Sequence, residues 1–345
     1  MSPTIYSIIL SSLATGTIIT MTSYHWLMAW VGLEINTLAI IPVVSMQHHP
    51  RSTEAATKYF LTQAAASALI LFASTTNAWS TGTWDITQMS STPSHILLTI
   101  ALAMKLGLAP THFWLPEVVQ GSTMTTAFII MTWQKLAPMS LIYLTMNNLS
   151  PTILLLLGMA SSMLGGWAGL NQTQTRKIMA FSSIAHLGWM AVIASIMTNI
   201  LTLNLMLYLI MTTTAFFTLI LSKSKTIQDT TATWTLSPTL TIIMMLSLLS
   251  LGGLPPLTGF MPKWLILEEL TTQKLAPLAT IMAASALLSL FFYLRLAYTT
   301  TLTFSPNTTQ TKFKWRFKLP NLAPPLTITT PLTIFLLPLT PLILA

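Results

Sequence analysis

Residues 103–116 read AMKLGLAPTHFWLP: a lysine, Lys105, in an otherwise apolar run, then Gly107, Pro110, His112 and Pro116. A proline inside a helix removes a backbone donor and clashes with the carbonyl four residues back, so Pro110 should free the carbonyl of Leu106, beside the lysine. In hydrocarbon, irregular backbone survives only where protein or water surrounds it. A lysine at the centre of a membrane helix costs roughly 2.5–3.5 kcal/mol on the insertion scale. A stretch that accepts both penalties at once marks an ion or proton site.

The composition puts that stretch in hydrocarbon. Hydrophobic residues make up 53% of the 345 positions and charged residues 6%, against roughly 25% in an ordinary soluble domain. The chain therefore reads as an all-α polytopic membrane protein with no room for a large soluble domain. It has no cysteine, which excludes a disulfide framework, a thiolate metal site and an iron–sulfur cluster held by this chain. The first charged residue is Glu34, so the N-terminus has neither the basic region of a signal peptide nor the arginines of a transit peptide, and the first helix is expected to be retained.

About 20 apolar residues make one crossing. Eleven such segments follow one another, near 5–23, 26–46, 55–77, 95–115, 123–146, 151–170, 178–198, 201–221, 236–270, 277–298 and 326–344. The ninth is too long for one straight crossing and is interrupted by LGGLPPLTGF, residues 251–260. The eleventh carries Pro331, Pro338 and Pro341, poor choices for a helix interior. With eleven crossings the termini lie on opposite sides, and the basic residues sort almost completely. Arg51, Lys58, Arg176, Lys177, Lys223, Lys225, Arg295, Lys312, Lys314, Arg316 and Lys318 fall on the N-terminal side, and Lys274 stands alone on the other. Because lysine and arginine bias sets orientation, the N-terminal side is the cytoplasm or the mitochondrial matrix. The run KFKWRFK, Lys312–Lys318, reads as an interfacial segment with snorkelling side chains rather than a nucleic-acid patch. The sequons at Asn148, Asn171 and Asn307 are weak three-residue matches.

The fourth and ninth segments share one pattern, G-L-x-P-x5-P: Gly107, Leu108, Pro110 and Pro116 against Gly253, Leu254, Pro256 and Pro262. Five helices separate them, an odd number, so equivalent helices run in opposite directions. This is the signature of an inverted repeat whose broken helices build a site near the midplane. The division that follows is 1–148 for helices 1–5, 149–300 for helices 6–10, and 301–345 for the basic-aromatic loop with helix 11. Each break carries its own lysine, Lys105 before the first and Lys263 after the second.

Lys105, Lys135 in MTWQKLAP, and Lys263 belong to neither face, and Glu34 is the matching buried acid. Intramembrane charges face cavities and mark ion pathways. Burial and a nearby carboxylate move a lysine's proton affinity in opposite directions, which arginine, always protonated, does not allow. Movement of Glu34 relative to Lys105 would then load and release a proton, with Lys135 as the central relay and Lys263 as the far terminus. His112 either bridges Lys105 and Lys135 through water or bonds a neighbouring helix, and His186 either extends the relay or does the same. Ser182 and Ser183 order water or, as is commoner, bond helix carbonyls. His25, His48, His49 and His95 show no metal-ligand spacing, and no dinucleotide turn, Walker loop or nucleophile–base pair is present.

Four stretches carry a specific resemblance: WVGLEINTLAIIP (30–42), KLGLAPTHFWLPEVVQG (105–121), RKIMAFSSIAHLGWM (176–190) and GLPPLTGFMPKW (253–264). With them the chain resembles the antiporter-like subunits of respiratory complex I over nearly its whole length. The resemblance implies an antiporter-like fold of inverted five-helix repeats, the mitochondrial inner membrane, and a place in the membrane arm between the chain 4L and chain 4 subunits, with accessory subunits and lipids as further partners and no nucleic acid. It implies proton pumping from matrix to intermembrane space, with Glu34, Lys105, Lys135 and Lys263 as the functional charges. NADH, flavin mononucleotide, iron–sulfur clusters and ubiquinone would be bound by other subunits, and no cofactor by this chain. Two other readings stay open on the residues alone: a structural scaffold between neighbouring pump subunits, and a free-standing cation/proton antiporter.

Overall fold

The computed structural model describes residues 3–303 and 323–340. The described residues are mostly helical, and their only β-pairing is two isolated bridges, His25–Asp85 and Gln174–Thr226. The helices are α1 (Pro3–Thr22), α2 (Trp26–Val44), α3 (Pro50–Thr81), α4 (Thr92–Leu106), α5 (Trp114–Gly121), α6 (Met124–Met131), α7 (Trp133–Thr145), α8 (Pro151–Gly169), α9 (Thr175–Ala194), α10 (Thr198–Ser222), α11 (Ile227–Thr231), α12 (Thr233–Leu236), α13 (Pro238–Gly252), α14 (Phe260–Thr272), α15 (Ala276–Leu302) and α16 (Ala323–Phe335). Eight helices are long and apolar enough to cross a membrane, counting α6 and α7 as one, and three shorter apolar ones lie at Thr92–Leu106, Pro238–Gly252 and Pro325–Phe335. Each predicted segment overlaps one of these apolar helices. The Lys312–Lys318 run, Asn307 and the end of the last predicted segment lie outside the described residues.

Both predicted breaks occur, and they share one local geometry. α4 stops at Gly107, whose left-handed backbone (φ 78, ψ 42) is matched by Gly253 at the end of α13 (φ 80, ψ 43). Gly107 N–H donates to Met104 O and Leu108 N–H to Ala103 O; Gly253 N–H donates to Ser250 O and Leu254 N–H to Leu249 O. These are Schellman motifs, which satisfy two of the carbonyls that a helix end leaves open. Beyond the turns the chain resumes as α5 and α14. Trp114 ties the halves of the first broken helix together, its Nε1 donating to Met104 O at 3.2 Å. In the second, Gly259 passes so close to the end of α13 that a Cβ there would lie 1.7 Å from Ser250 O.

The chain forms two compact units, residues Met1–Ser161 with Met190–Thr198, and Ser162–Trp189 with Asn199–Ala345. In the first, α1 and α2 cross closely at Gly16 and Gly32, where a Cβ on either would lie 2.9 Å from the other's carbonyl oxygen. Small residues at a crossing let membrane helices pack tightly where no hydrophobic force draws them together. In the second, the Arg295 guanidinium donates to the carbonyls of Leu170 and Gln172 just past the end of α8. Thr258 Oγ1, in the turn of the second break, donates to Thr333 O of α16 at 2.6 Å.

Outside the apolar helices, Thr226 and Asp229 form a capping box at the start of α11, with Thr226 N–H and Lys225 N–H donating to Asp229 Oδ2 at 2.8 and 3.0 Å. The Thr226 backbone N–H first, then that of Lys225, holds the Asp229 carboxyl below its ordinary value of 3.8.

Two outcomes follow from these caps. Gly82 (φ 74) has nothing within 4 Å of an added Cβ, whereas at Gly253 one would lie 2.9 Å from Lys263 Nζ. Gly82→Ala should therefore cost only the left-handed penalty of about 1–2 kcal/mol, and Gly253→Ala more, read as the thermal stability of the purified assembly and as hydrogen exchange at α13 and α14. A carboxyl depressed in the folded state stabilises above its unfolded pKa and loses that effect as pH falls through the folded value. Exchange protection of residues 225–231 should thus weaken on acidification below 3.8, and Asp229→Asn should start weaker at neutral pH and lose the acid dependence.

Candidate functional site

The orphaned carbonyls of the two broken helices are where the buried charges gather. A Schellman motif leaves the carbonyl of the residue before its glycine without a helical partner, and this is also the carbonyl four residues before Pro110 or Pro256. In the first unit it belongs to Leu106, and Lys135 Nζ donates to it. In the second it belongs to Gly252, and Lys263 Nζ donates to it at 2.8 Å. Each break thus ends on a lysine ammonium, a strong donor to a group that hydrocarbon would leave unmet.

Lys105 is not the lysine that fills the first position, although it sits next to Leu106 in sequence. Adjacent helical side chains point about 100° apart, and Lys105 lies 4% exposed with its Nζ buried and free of any hydrogen-bond partner. The partner comes instead from α7, where Lys135 is 2% exposed and its Nζ lies 5.7 Å from the centroid of the Trp114 ring. Lys105 and Lys135 line one cavity of about 10 Å³, together with Asn36, Tyr59, Gln63 and Gln134. That is space for about one water molecule.

Glu34, on α2, acts on Lys105 and Tyr59 through its charge. Its Oε2 is buried and unpartnered, and among the described residues the ion pairs are those of Lys58 with Glu54 and Glu117. Glu34 and Lys105 therefore interact without touching. His112 lies in the turn between α4 and α5, 6% exposed, with its Nδ1 buried and unpartnered and its ring 4.3 Å from that of Phe113. It does not line the cavity shared by the lysines.

In the second unit, His186 is brought to the break. The Leu251 carbonyl and the Lys263 charge both act on its ring, its Nε2 is 3.4 Å from the Tyr293 hydroxyl, and its centroid is 5.7 Å from that of Tyr208. Ser182 and Ser183 donate to the Met179 and Ala180 carbonyls at 2.7 and 2.8 Å, the commoner of the two uses foreseen. Among the described residues no three His, Asp or Glu side chains are grouped to hold a metal ion.

Sequence reasoning named the charges and missed the neutral polar groups around them: Asn36, Tyr59 and Gln134 in the first unit, Tyr208 and Tyr293 in the second. Asn36 follows Glu34 by two residues and Gln134 directly precedes Lys135, so an amide beside these two of the four intramembrane charges was the available signal. The tyrosines carried none that separated them from ordinary packing. Chemically, each site pairs an exchangeable ammonium with groups that change its proton affinity according to their distance, a carboxylate in one unit and an imidazole in the other.

The chain matches two family models, NADH:quinone oxidoreductase/Mrp antiporter over residues 23–289 and NADH dehydrogenase subunit 2 C-terminus over 290–344. It is 56% identical to NADH-ubiquinone oxidoreductase chain 2 of Carassius auratus over 344 residues, 100% of this chain and 99% of that one. It is 58% identical to the protein of the same name from Squalus acanthias, over 99% of each. A chain of respiratory complex I from Thermus thermophilus superposes with a TM-score of 0.86 at 26% identity, covering 99% of this chain and 79% of that one. A chain of the Mrp complex from Dietzia shares the fold at a TM-score of 0.83 and 16% identity, over 97% of this chain and 75% of that one. This chain therefore belongs to the NADH-ubiquinone oxidoreductase chain 2 family, the antiporter-like membrane-arm subunits of the proton-translocating NADH:quinone reductase.

Proposed function

We propose that the buried lysines at the two breaks are the proton-carrying groups of this subunit. The observation that carries the reading is the pairing of each broken helix with a lysine on its orphaned carbonyl, while a third lysine, partnerless, shares the first lysine's cavity. A static ion pair would have given Lys105 a contact. Instead its ammonium is left to respond to the charge of Glu34, which is what loading and release of a proton require. Lys135 is the central relay and Lys263 the far terminus, with His186 beside it. His112, away from the cavity, is assigned no step. The two breaks, alike in sequence and local geometry, are read as halves of an inverted repeat.

On this reading the subunit lies in the mitochondrial inner membrane, with the N-terminus and most basic loops on the matrix side, between the chain 4L and chain 4 subunits and in contact with accessory subunits and lipids. The relative from Thermus is part of a respiratory complex I, and the redox cofactors and ubiquinone are assigned to other subunits. A pure scaffold would need neither the partnerless lysine nor the unpaired carboxylate.

Lys105→Met and Lys135→Met, each in the assembled complex, should lower proton-coupled quinone reduction about tenfold or more, since a positioned proton donor or acceptor is worth about 10²–10⁴ in rate. Assembly should survive, as seen by blue-native electrophoresis; full activity with an undiminished proton yield would return the chain to the scaffold class. The chain has no native cysteine, so labelling read on this chain's own electrophoretic band reports a single introduced thiol. Lys223→Cys should react with an impermeant thiol reagent from the matrix side only, and Lys274→Cys from the opposite side only.

A further inference from the structure

The two breaks are alike in backbone but are tied down differently. In the first, Trp114 falls seven residues after Gly107, and its indole N–H reaches back to Met104 O at 3.2 Å. The residue seven after Gly253 is Phe260, whose ring has no N–H or O–H to donate. The turn between α13 and α14 also includes Pro255 and Pro256, which carry no backbone N–H. It therefore has fewer means of its own to hold its shape.

What meets it instead is the C-terminal helix. α16 ends at Phe335, so the Thr333 carbonyl is among the last four, which an α-helix leaves without an intrahelical partner. Thr258 Oγ1 donates to it at 2.6 Å, and both threonines are 1% exposed. α16 also packs against α13. Toward α13 the turn has no room to move, since a Cβ at Gly259 would lie 1.7 Å from Ser250 O.

We propose that Thr258 is a positioning residue for Lys263, its hydroxyl anchoring on α16 the turn from which α14 starts. The tie stands on the geometry alone, and its bearing on proton transfer rests on the relay reading above.

Thr258 is placed for this because its backbone opens the helix that carries the lysine. Its carbonyl accepts the Met261 N–H at 3.2 Å, one link after Phe260 N–H to Leu257 O. Lys263 lies in the same first turn of α14, and its Nζ returns to Gly252 O at 2.8 Å. The ammonium thus spans from the start of α14 to the end of α13, and its reach is set by how the two half-helices sit. Without the hydroxyl, the Thr333 carbonyl would be left bare among apolar groups, and the first turn of α14 would lose its anchor on α16. Lys263 would then meet Gly252 O from a range of positions rather than one. Through this link a helix remote in sequence bears on the second proton site.

The test uses the intact complex that carries this chain, with assembly followed by blue-native electrophoresis. Thr258→Val keeps the shape and removes the donor, with Thr258→Ala as the second variant should valine disturb assembly. Amide exchange at Phe260, Met261 and Lys263 should quicken about two- to tenfold, the weight of one hydrogen bond. Proton flux should fall about tenfold, since small misplacements of a reacting group are costly. Thr258→Ser, which restores the hydroxyl, should recover both, and Thr258→Val added to Lys263→Met should lower flux no further. Wild-type exchange or wild-type flux in Thr258→Val overturns the proposal, as does a loss that serine does not rescue or that adds to Lys263→Met. Flux indifferent to Lys263→Met removes the relay reading instead, while quickened exchange rescued by serine still supports the tie.

Discussion

A carbonyl oxygen that has lost its helical partner in hydrocarbon must be met by something, and the fold is arranged around meeting it twice. Each break exists because a glycine in the left-handed region turns the chain and a proline three residues on prevents the helix from continuing. Leaving the freed oxygen bare would cost several kcal/mol. Filling it with a neutral side chain would have been sufficient for stability. Lysine is used in both units, and an ammonium brings a charge whose own desolvation must be offset. That choice is the observation on which the proton-carrying reading rests.

The two units solve the problem with different connectivity. In the second, the lysine lies on α14, eleven residues after the carbonyl that it meets. In the first, it comes from α7, 29 residues on, and the lysine beside the break is left over. This asymmetry gives the first unit two ammonium groups in one cavity where the second has an ammonium and an imidazole. A lone lysine capping a helix end is a static brace. On the relay reading, two buried lysines that line one cavity give a proton somewhere to go at little cost in geometry.

Much of this was legible in the sequence for a plain reason. Glycine and proline at G-L-x-P-x5-P act through local backbone chemistry, so the breaks at Gly107 and Gly253 were readable from residue types alone, as were the charges that hydrocarbon makes expensive. What the sequence left open was long-range. Lys105 is adjacent to Leu106 in the chain, and nothing local shows that the oxygen is taken by a residue from another helix. His112 and His186 looked equivalent in the sequence, yet His112 sits in the turn of the first break without lining the lysines' cavity, whereas His186 on α9 reaches the Leu251 carbonyl and Lys263 at the second. Neutral polar residues were least visible: Asn36, Tyr59 and Gln134 are common residues whose meaning depends on what tertiary contact leaves unsatisfied.

The same dependence explains why Glu34 is held near Lys105 without touching it. A direct ion pair between them would be hard to break, since removing one partner strands the other charge in a low dielectric. A carboxylate that acts across a gap changes the lysine's preference for its proton while leaving both groups able to move. On the proton-carrying reading its unpartnered oxygen is a condition of function rather than a defect in packing. Distance, not contact, is the variable that such a pair can modulate, and a shift of α2 relative to α4 by a fraction of a helical turn would alter it. The small residues at the α1–α2 crossing, Gly16 and Gly32, hold α2 against α1 with backbone-to-backbone contact, so α1 and α2 would shift together in such a movement.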